Sequence, residues 1–240
     1  MCGRFVSATP PDRLAAHFGA ERVSAGEPGP DYNVTPRSPV PTVRVDGGRR
    51  LLERARWGLV PPWAPSVAVG DRLINARSET APDRPAFREA FAHRRCLVPA
   101  DAFYEWRAGP GRRKQPVAVR RRDGRPMAFA GLWEVWHDPG DPSGGVVRSC
   151  TILTTTPNAL LAPVHDRMPV LLGEEGWDAW LDPSSDPGGL RALLVPAPDD
   201  LLEAFPVRTL VNDPRRNGPE LLEPAEPVAM DELPLEIPPR

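Results

Sequence analysis

The stretch VPTVRVDGGRRLLERARWGLVP, Val40 to Pro61, sets the tightest limit on the fold. Two β-like runs flank Asp46-Gly47-Gly48, the turn chemistry of a hairpin. PVAVRRRDGRPMAFAGLWEVW, Pro116 to Trp136, reads the same way, as two paired strands around Asp123-Gly124. SCTILTTTPN, from Ser149, is rich in β-branched residues and reads as a further strand. RRCLVPADAFYEW, Arg94 to Trp106, reads as a strand, a turn and a second strand. The helical segments are shorter. TPPDRLAAHFG carries Leu14 and Phe18 on one face, with Thr9 to cap it and Gly19 to end it. Pro85 to Arg95, EEGWDAWLD and GGLRALL complete the set, and residues 23–40, rich in Gly and Pro, read as loop. Strands outnumber helices and do not alternate with them as in βαβ units, so a parallel sheet is not expected. The expected class is α+β, mainly antiparallel, with short peripheral helices.

With 240 residues, 40% of them hydrophobic and 26% charged, the chain is long enough for one well-filled domain. The expected division is a single domain over 1–224 and a Pro-rich acidic tail over 225–240. No apolar run approaches the roughly 18 residues of a membrane span, and no signal peptide is visible. Three scattered cysteines without a CxxC argue against disulfides and against a zinc site. A reducing cytoplasm suits them. The net charge of −2 conceals an asymmetry: residues 1–125 hold 23 basic side chains against 13 acids, and residues 126–240 hold 7 against 19. A basic first half suits a phosphate-rich ligand, unless the two halves fold together and their charges mix. Arginine outnumbers lysine 29 to 1, a bias that a GC-rich genome also produces.

Four segments could carry chemistry, and each alone also suits a plain structural role. Cys2, once Met1 is removed, offers an α-amine and a thiol on adjacent carbons. The amine, with a pKa near 8, is partly a free nucleophile at neutral pH. Such a β-aminothiol condenses with an aldehyde to an imine, and the thiol then closes a five-membered thiazolidine. N-terminal-nucleophile amidohydrolases and thiol peptidases also use a cysteine in this place. In INARSET, Asn75 can donate and accept hydrogen bonds and Arg77 offers a fork for phosphate. Glu105 lies between Tyr104 and Trp106 after an apolar strand. Partial desolvation there would raise its pKa toward acid/base duty, and strand alternation points it away from its aromatic neighbours. In PVHDRMPV, His165 could shuttle a proton and Arg167 could hold a phosphate.

Taken together, MCGRF, YNVTP, RWGLVPPW, INARSET, RRCLVPADAFYEW, FAGLWE, TTTPN, VHDRMPV and VNDPRRN resemble, in this order, the SRAP (SOS-response-associated peptidase) family of abasic-site processing proteins. The resemblance implies a barrel-like core and a groove for single-stranded DNA carrying an abasic site. It implies a covalent cross-link through Cys2 that shields the lesion during replication. Asn75 would orient Cys2 and the sugar, Glu105 would be the acid/base group, and His165 would assist proton transfer. Arg4, Arg77 and Arg167 would clamp phosphates, and Trp63 and Trp106 would stack on bases. The family needs no metal or cofactor. A monomer associated with the nucleoid, with single-stranded DNA as partner, is the corresponding expectation, as is peptidase activity that exposes Cys2.

Overall fold

A computed structural model describes residues 2–22, 29–109, 114–141 and 145–226. Its strands are β1 (Phe5–Ser7), β2 (Glu21–Arg22), β3 (Asp31–Val34), β4 (Pro39–Asp46), β5 (Arg49–Trp57), β6 (Asn75–Arg77), β7 (Arg95–Ala100), β8 (Ala102–Ala108), β9 (Lys114–Arg121), β10 (Met127–His137), β11 (Val146–Thr155), β12 (Met168–Pro169) and β13 (Leu202–Pro206). The helices are α1 (Pro11–Phe18), α2 (Arg88–His93), α3 (Glu174–Leu181) and the single turn α4 (Pro187–Leu190).

β4, β5, β11, β10 and β7 form a ring. β4 pairs with β5 and β7, β10 joins β7 to β11, and a short β5–β11 pairing closes the circuit. A second sheet, ordered β13-β9-β8-β1-β3, lies beside this barrel. Side chains alternate along each strand, so every barrel strand feeds two cores. On one face Val43, Leu52, Leu97 and Leu153 meet Leu14 and Phe18 of α1, Phe91 of α2, and Trp177 and Trp180 of α3. On the other face Trp57, Cys96, Val98, Phe129 and Ile152 meet Phe5 and Phe103 of the second sheet. The Phe5 ring stands edge-on to Trp57 at 5.1 Å and to Phe129 at 6.2 Å. Full burial of each such ring stabilises the fold by about 2–3 kcal/mol, which fixes the second sheet over the barrel.

The α+β, mainly antiparallel expectation is met, and the first hairpin forms as read, with positive φ at Gly47 and Gly48 in its turn. The second does not. β9 pairs with β8 and β13, whereas β10 pairs with β7 and β11, so Asp123-Gly124 carries the chain from one sheet to the other. Turn chemistry fixes a local reversal but not which strands pair across it. A second change of sheet falls at Asp101, between β7 and β8. Its carboxylate accepts from the Ala8 and Thr9 amides at 2.6 and 2.8 Å and from the Thr9 hydroxyl at 2.5 Å. Thr9 is therefore not the cap of α1; Pro10 takes that position without a side-chain bond, while Gly19 ends the helix as expected.

Within 23–40, read as loop, residues 31–34 form β3 and β4 starts at Pro39. Short parallel pairings occur at β5–β11, β6–β11 and β2–β5, where segments lie beside strands already paired on their other edge. Of the expected tail over 225–240, residues 227–240 lie outside the described residues, and the Ala225 amide donates to the Pro206 carbonyl at 2.9 Å. The charge asymmetry is partly cancelled by pairing between the halves: Arg50–Asp178, Arg94–Glu134, Arg120–Glu203 and Arg125–Glu174 are all within 2.8 Å. No helix among the described residues is long and apolar enough to cross a membrane.

Gly58 ends β5 at φ 123°, a conformation that L side chains rarely adopt. A Cβ there would lie 2.5 Å from the Gly70 carbonyl oxygen. This close approach folds residues 58–73 back on the barrel and delivers Ile74 and Asn75 to β11; the Trp57 indole donates to the Ile74 carbonyl at 2.8 Å. Gly58→Ala is expected to cost about 2–4 kcal/mol and to lower the melting temperature by roughly 5–15 °C. A thermal melt within about 1 °C of wild type would contradict it.

Candidate functional site

The N-terminal chain, β6, β8 and the loop before β12 converge at the seam between barrel and second sheet. Phe5 pairs with Phe103, and the Tyr104 amide donates to the Arg4 carbonyl at 2.9 Å, so residues 2–4 run along β8 toward Glu105. Cys2 is fully buried. Its thiol lies 3.8 Å from the Arg4 carbonyl, and its own carbonyl accepts from Asn75 Nδ2 at 2.7 Å. Asn75 belongs to the barrel side, since β6 runs parallel to β11 with Asn75 opposite Ile152. One side-chain hydrogen bond thus ties the N-terminal chain to the barrel, while Asn75 Oδ1 is buried with no hydrogen-bond partner.

Glu105 is 2% exposed. Alternation along β8 sends it to the face of Phe103, between the two sheets, while Tyr104 and Trp106 join an apolar cluster on the opposite face. Burial, reinforced by the charge of Asp166, pushes its carboxyl up to about 7. His165 Nε2 stands 4.0 Å from Glu105 Oε2. On its other edge, Nδ1 accepts from the Arg167 amide at 3.0 Å and lies 2.9 Å from Asp166 Oδ1. The first contact requires a bare Nδ1, which puts the neutral ring's proton on Nε2, facing Glu105. Protonating Nδ1 would exchange the first contact for the second. Burial lowers the His165 pKa, partly offset by Asp166. The Cys2 thiol is pushed far above its ordinary value by burial and by the Glu105 charge. It is therefore held as S–H, a poor nucleophile.

The expected site residues divide. Cys2, Asn75, Glu105 and His165 come together from four separate stretches. Arg4 and Trp106 sit at their edge, with the guanidinium 5.9 Å from the indole centroid. Arg77 is exposed two residues beyond Asn75, and Trp63 is 60% exposed on the loop after β5. Arg167 is placed differently from the expected phosphate clamp. Only 9% exposed, it grips Glu79 through two parallel bonds of 2.7 and 2.8 Å and donates to the Thr154 carbonyl at 2.5 Å. Those hydrogen bonds hold the Glu79 carboxyl below its usual range. The pair fastens the segment after Asn75 to the loop after His165, so Arg167 holds the site together. The sequence offered a signal for this, an acid two residues beyond Arg77, but not its partner.

Sequence reading also gave no role to Asn158. Its Oδ1 accepts from the Leu161 amide at 3.0 Å and its Nδ2 donates to the Ala197 carbonyl at 3.1 Å. The turn so formed ends with the His165 amide on the Leu161 carbonyl at 3.0 Å, which sets the height of the imidazole.

The SOS response associated peptidase (SRAP) family model matches residues 1–214. Abasic site processing protein YoqW of Bacillus subtilis is 42% identical over 225 residues, 93% of this chain and 99% of that protein. Abasic site processing protein HMCES of Mus musculus is 30% identical, over 82% of this chain and 65% of its own length. A solved structure from Bacteroides thetaiotaomicron superimposes with a TM-score of 0.85 at 25% identity, covering 93% of this chain and all of that one. One from Bordetella bronchiseptica gives 0.73 at 29% identity, over 86% of this chain and all of its own. The nine motifs, the barrel with its attached sheet and the extent of these matches agree, and the chain belongs to the SRAP family.

Proposed function

We propose that this protein processes abasic sites in single-stranded DNA, capturing the lesion covalently through Cys2 after loss of Met1. One observation carries the reading. Asn75 pins the Cys2 carbonyl beside a buried carboxyl with a pKa of about 7 and an imidazole 4.0 Å from that carboxyl. The relatives named as abasic site processing proteins supply the substrate class.

The chemistry follows from these groups. Protonated Glu105 donates to the ring oxygen of the abasic sugar, the C1′–O4′ bond breaks, and the C1′ hydroxyl returns its proton to Glu105, leaving a C1′ aldehyde and a C4′ hydroxyl. The free amine of Cys2 attacks C1′, forming a C–N bond and a carbinolamine. Glu105 protonates the carbinolamine hydroxyl, water leaves, and a C=N bond remains. The thiol adds its sulfur to C1′ and its proton passes to nitrogen, closing the thiazolidine. No oxidant or reductant enters. Glu105 takes back the proton released by the attacking amine, and His165, whose Nε2 proton faces that carboxylate, assists the transfer. A high thiol pKa suits this order, amine first and sulfur second. A thiolate peptidase would need the opposite shift. Asn75 Oδ1, buried without a hydrogen-bond partner, would accept from the new C4′ hydroxyl or from the Cys2 amine. Exposed Arg77 and Trp63 and half-buried Arg4 and Trp106 would hold the flanking strand by phosphate contact and stacking. The same site could itself release Met1, and an aminopeptidase would deliver the same amine.

Protein lacking Met1, confirmed by intact mass, is expected to give a heat-stable shifted band on a denaturing gel with a single-stranded oligonucleotide carrying one abasic site. An intact oligonucleotide should give none. Absence of the band from the wild-type protein overturns the reading.

A further inference from the structure

The VNDPRRN segment, Val211 to Asn217, lies at the edge of the site and has no place in the chemistry above. It is fastened there by hydrogen bonds from the other strands. Trp106 Nε1 donates to Asn212 Oδ1 at 2.7 Å, and the Tyr32 amide donates to Asn217 Oδ1 at 2.7 Å. At the centre stands Asn33, 3% exposed, on β3 next to β1. Its Nδ2 donates to the Arg216 carbonyl at 2.8 Å and the Asp213 carbonyl at 3.0 Å. Its Oδ1 accepts from Arg4 Nη1 at 2.7 Å, and the same Nη1 reaches the Val211 carbonyl at 2.8 Å. Carbonyl oxygens around Nδ2 and a guanidinium before Oδ1 leave only one orientation of the amide.

Both acceptors that hold Arg4 are uncharged, and no carboxylate among the described residues forms an ion pair with it. Many other arginines of the chain differ: Arg44, Arg50, Arg56, Arg94, Arg120 and Arg167 each meet an acid. A guanidinium fixed in direction by neutral oxygens, with Asp31 acting on it only from beyond ion-pair distance, keeps its charge available for an outside anion. We infer that Asn33 is a positioning residue for DNA capture: with the Val211–Asn217 segment behind it, it aims Arg4 at a backbone phosphate beside the lesion without neutralising it. The inference rests on the proposed reading of the site, and it explains why a buried neutral amide, rather than an aspartate, stands at this point.

The test uses full-length protein lacking Met1 and an undamaged single-stranded oligonucleotide, so that binding is measured apart from the covalent step. Asn33→Asp keeps an acceptor for Arg4 but adds a counter-charge. Asn33→Ala removes the acceptor and adds none. Asn33→Asp is expected to weaken binding about tenfold and to reduce the slope of log K against log salt by about one. Asn33→Ala should weaken binding with the slope retained. Equal slopes in wild type and Asn33→Asp, or equal losses of slope in both variants, would overturn the inference. Should Asn33→Asp fail to fold, as judged by its thermal melt, a cycle with Arg4→Gln decides. Asn33→Ala is expected to add nothing in the Arg4→Gln background, and additive losses overturn the proposal. Loss of adduct from the wild-type protein would instead sink the reading of the site and leave these binding results standing.

Discussion

Cys2→Ala is expected to lose the heat-stable adduct altogether, a fall of at least about a hundredfold in cross-link yield. The variant keeps an α-amine at the same place, and alanine, like cysteine, is small enough for Met1 to be removed ahead of it. An amine alone stops at the imine, which water reverses, so any adduct disappears on heating. The thiol converts the imine to a ring in which C1′ carries two bonds to the protein, and both must break for release. Two further outcomes separate the explanations. Borohydride added during incubation should trap the Cys2→Ala imine as a stable amine, because reduction replaces the missing sulfur step. Wild-type protein that retains Met1 should give no adduct, since the nitrogen of Cys2 is then an amide. An undiminished heat-stable band from Cys2→Ala would place the chemistry at another residue.

Glu105→Gln is expected to slow adduct formation by about a hundredfold to a thousandfold, the usual range for a lost general acid. The pH profile gives the sharper readout. The proposed route needs Glu105 protonated, with a pKa of about 7, and the amine free, with a pKa of about 8. The product of those fractions peaks near about pH 7.5. It falls about tenfold per unit below about 7, as the amine protonates, and above about 8, as Glu105 ionises. Glu105→Gln should lose the alkaline limb and keep the acid one. A wild-type bell that persists unchanged in the variant would remove Glu105 from the mechanism.

The same carboxyl has a stability signature with a definite sign. Its pKa is raised in the folded protein from 4.5 to about 7, so the folded state holds its proton more tightly than the unfolded chain does. Below pH 4.5 the two states do not differ. As pH rises through 4.5 to about 7 the folded state loses stability, roughly 3 kcal/mol in all, and above that the loss is complete. Glutamine cannot ionise and escapes this loss. Glu105→Gln is therefore expected to melt higher than wild type at about pH 8 and close to it at about pH 4.5. A variant less stable than wild type in the alkaline range would show that the ionised carboxylate is well accommodated. A carboxyl held in an unfavourable place because the reaction needs its proton is the arrangement expected of a functional group.

Much of the fold was legible in local chemistry. Asp46-Gly47-Gly48 demanded a hairpin and received one, because two residues with positive φ reverse a chain whose flanks then pair without help. Gly19 ended α1 for a similarly local reason. Asp123-Gly124 reversed the chain equally well, yet its flanks joined different sheets. Pairing energy depends on which edge each strand finds, and that is decided by packing from elsewhere in the chain. Thr9 illustrates the same limit at one side chain. Its hydroxyl could cap the helix that follows, but Asp101, 92 residues away, offers a charged acceptor.

For the site, the order of residues specifies the kinds of group: a cysteine directly behind Met1, an amide, a carboxyl and an imidazole in motifs of a fixed order. It also specifies that Glu105 faces away from its aromatic neighbours, since alternation is a property of any strand. That these groups meet is a matter of packing, because Cys2, Asn75, Glu105 and His165 lie on segments that only the barrel and its attached sheet bring to one seam. Packing likewise sets the proton affinities, since burial depends on what surrounds a group rather than on what precedes it. It also selects which arginines are paired with an acid. Arg4 and Arg167 stand in equally suggestive motifs, but one is held by an amide and a carbonyl and the other by a carboxylate. A charge is available or neutralised according to its nearest neighbours in space, and those neighbours lie 29 and 207 residues away for Arg4 and 88 for Arg167.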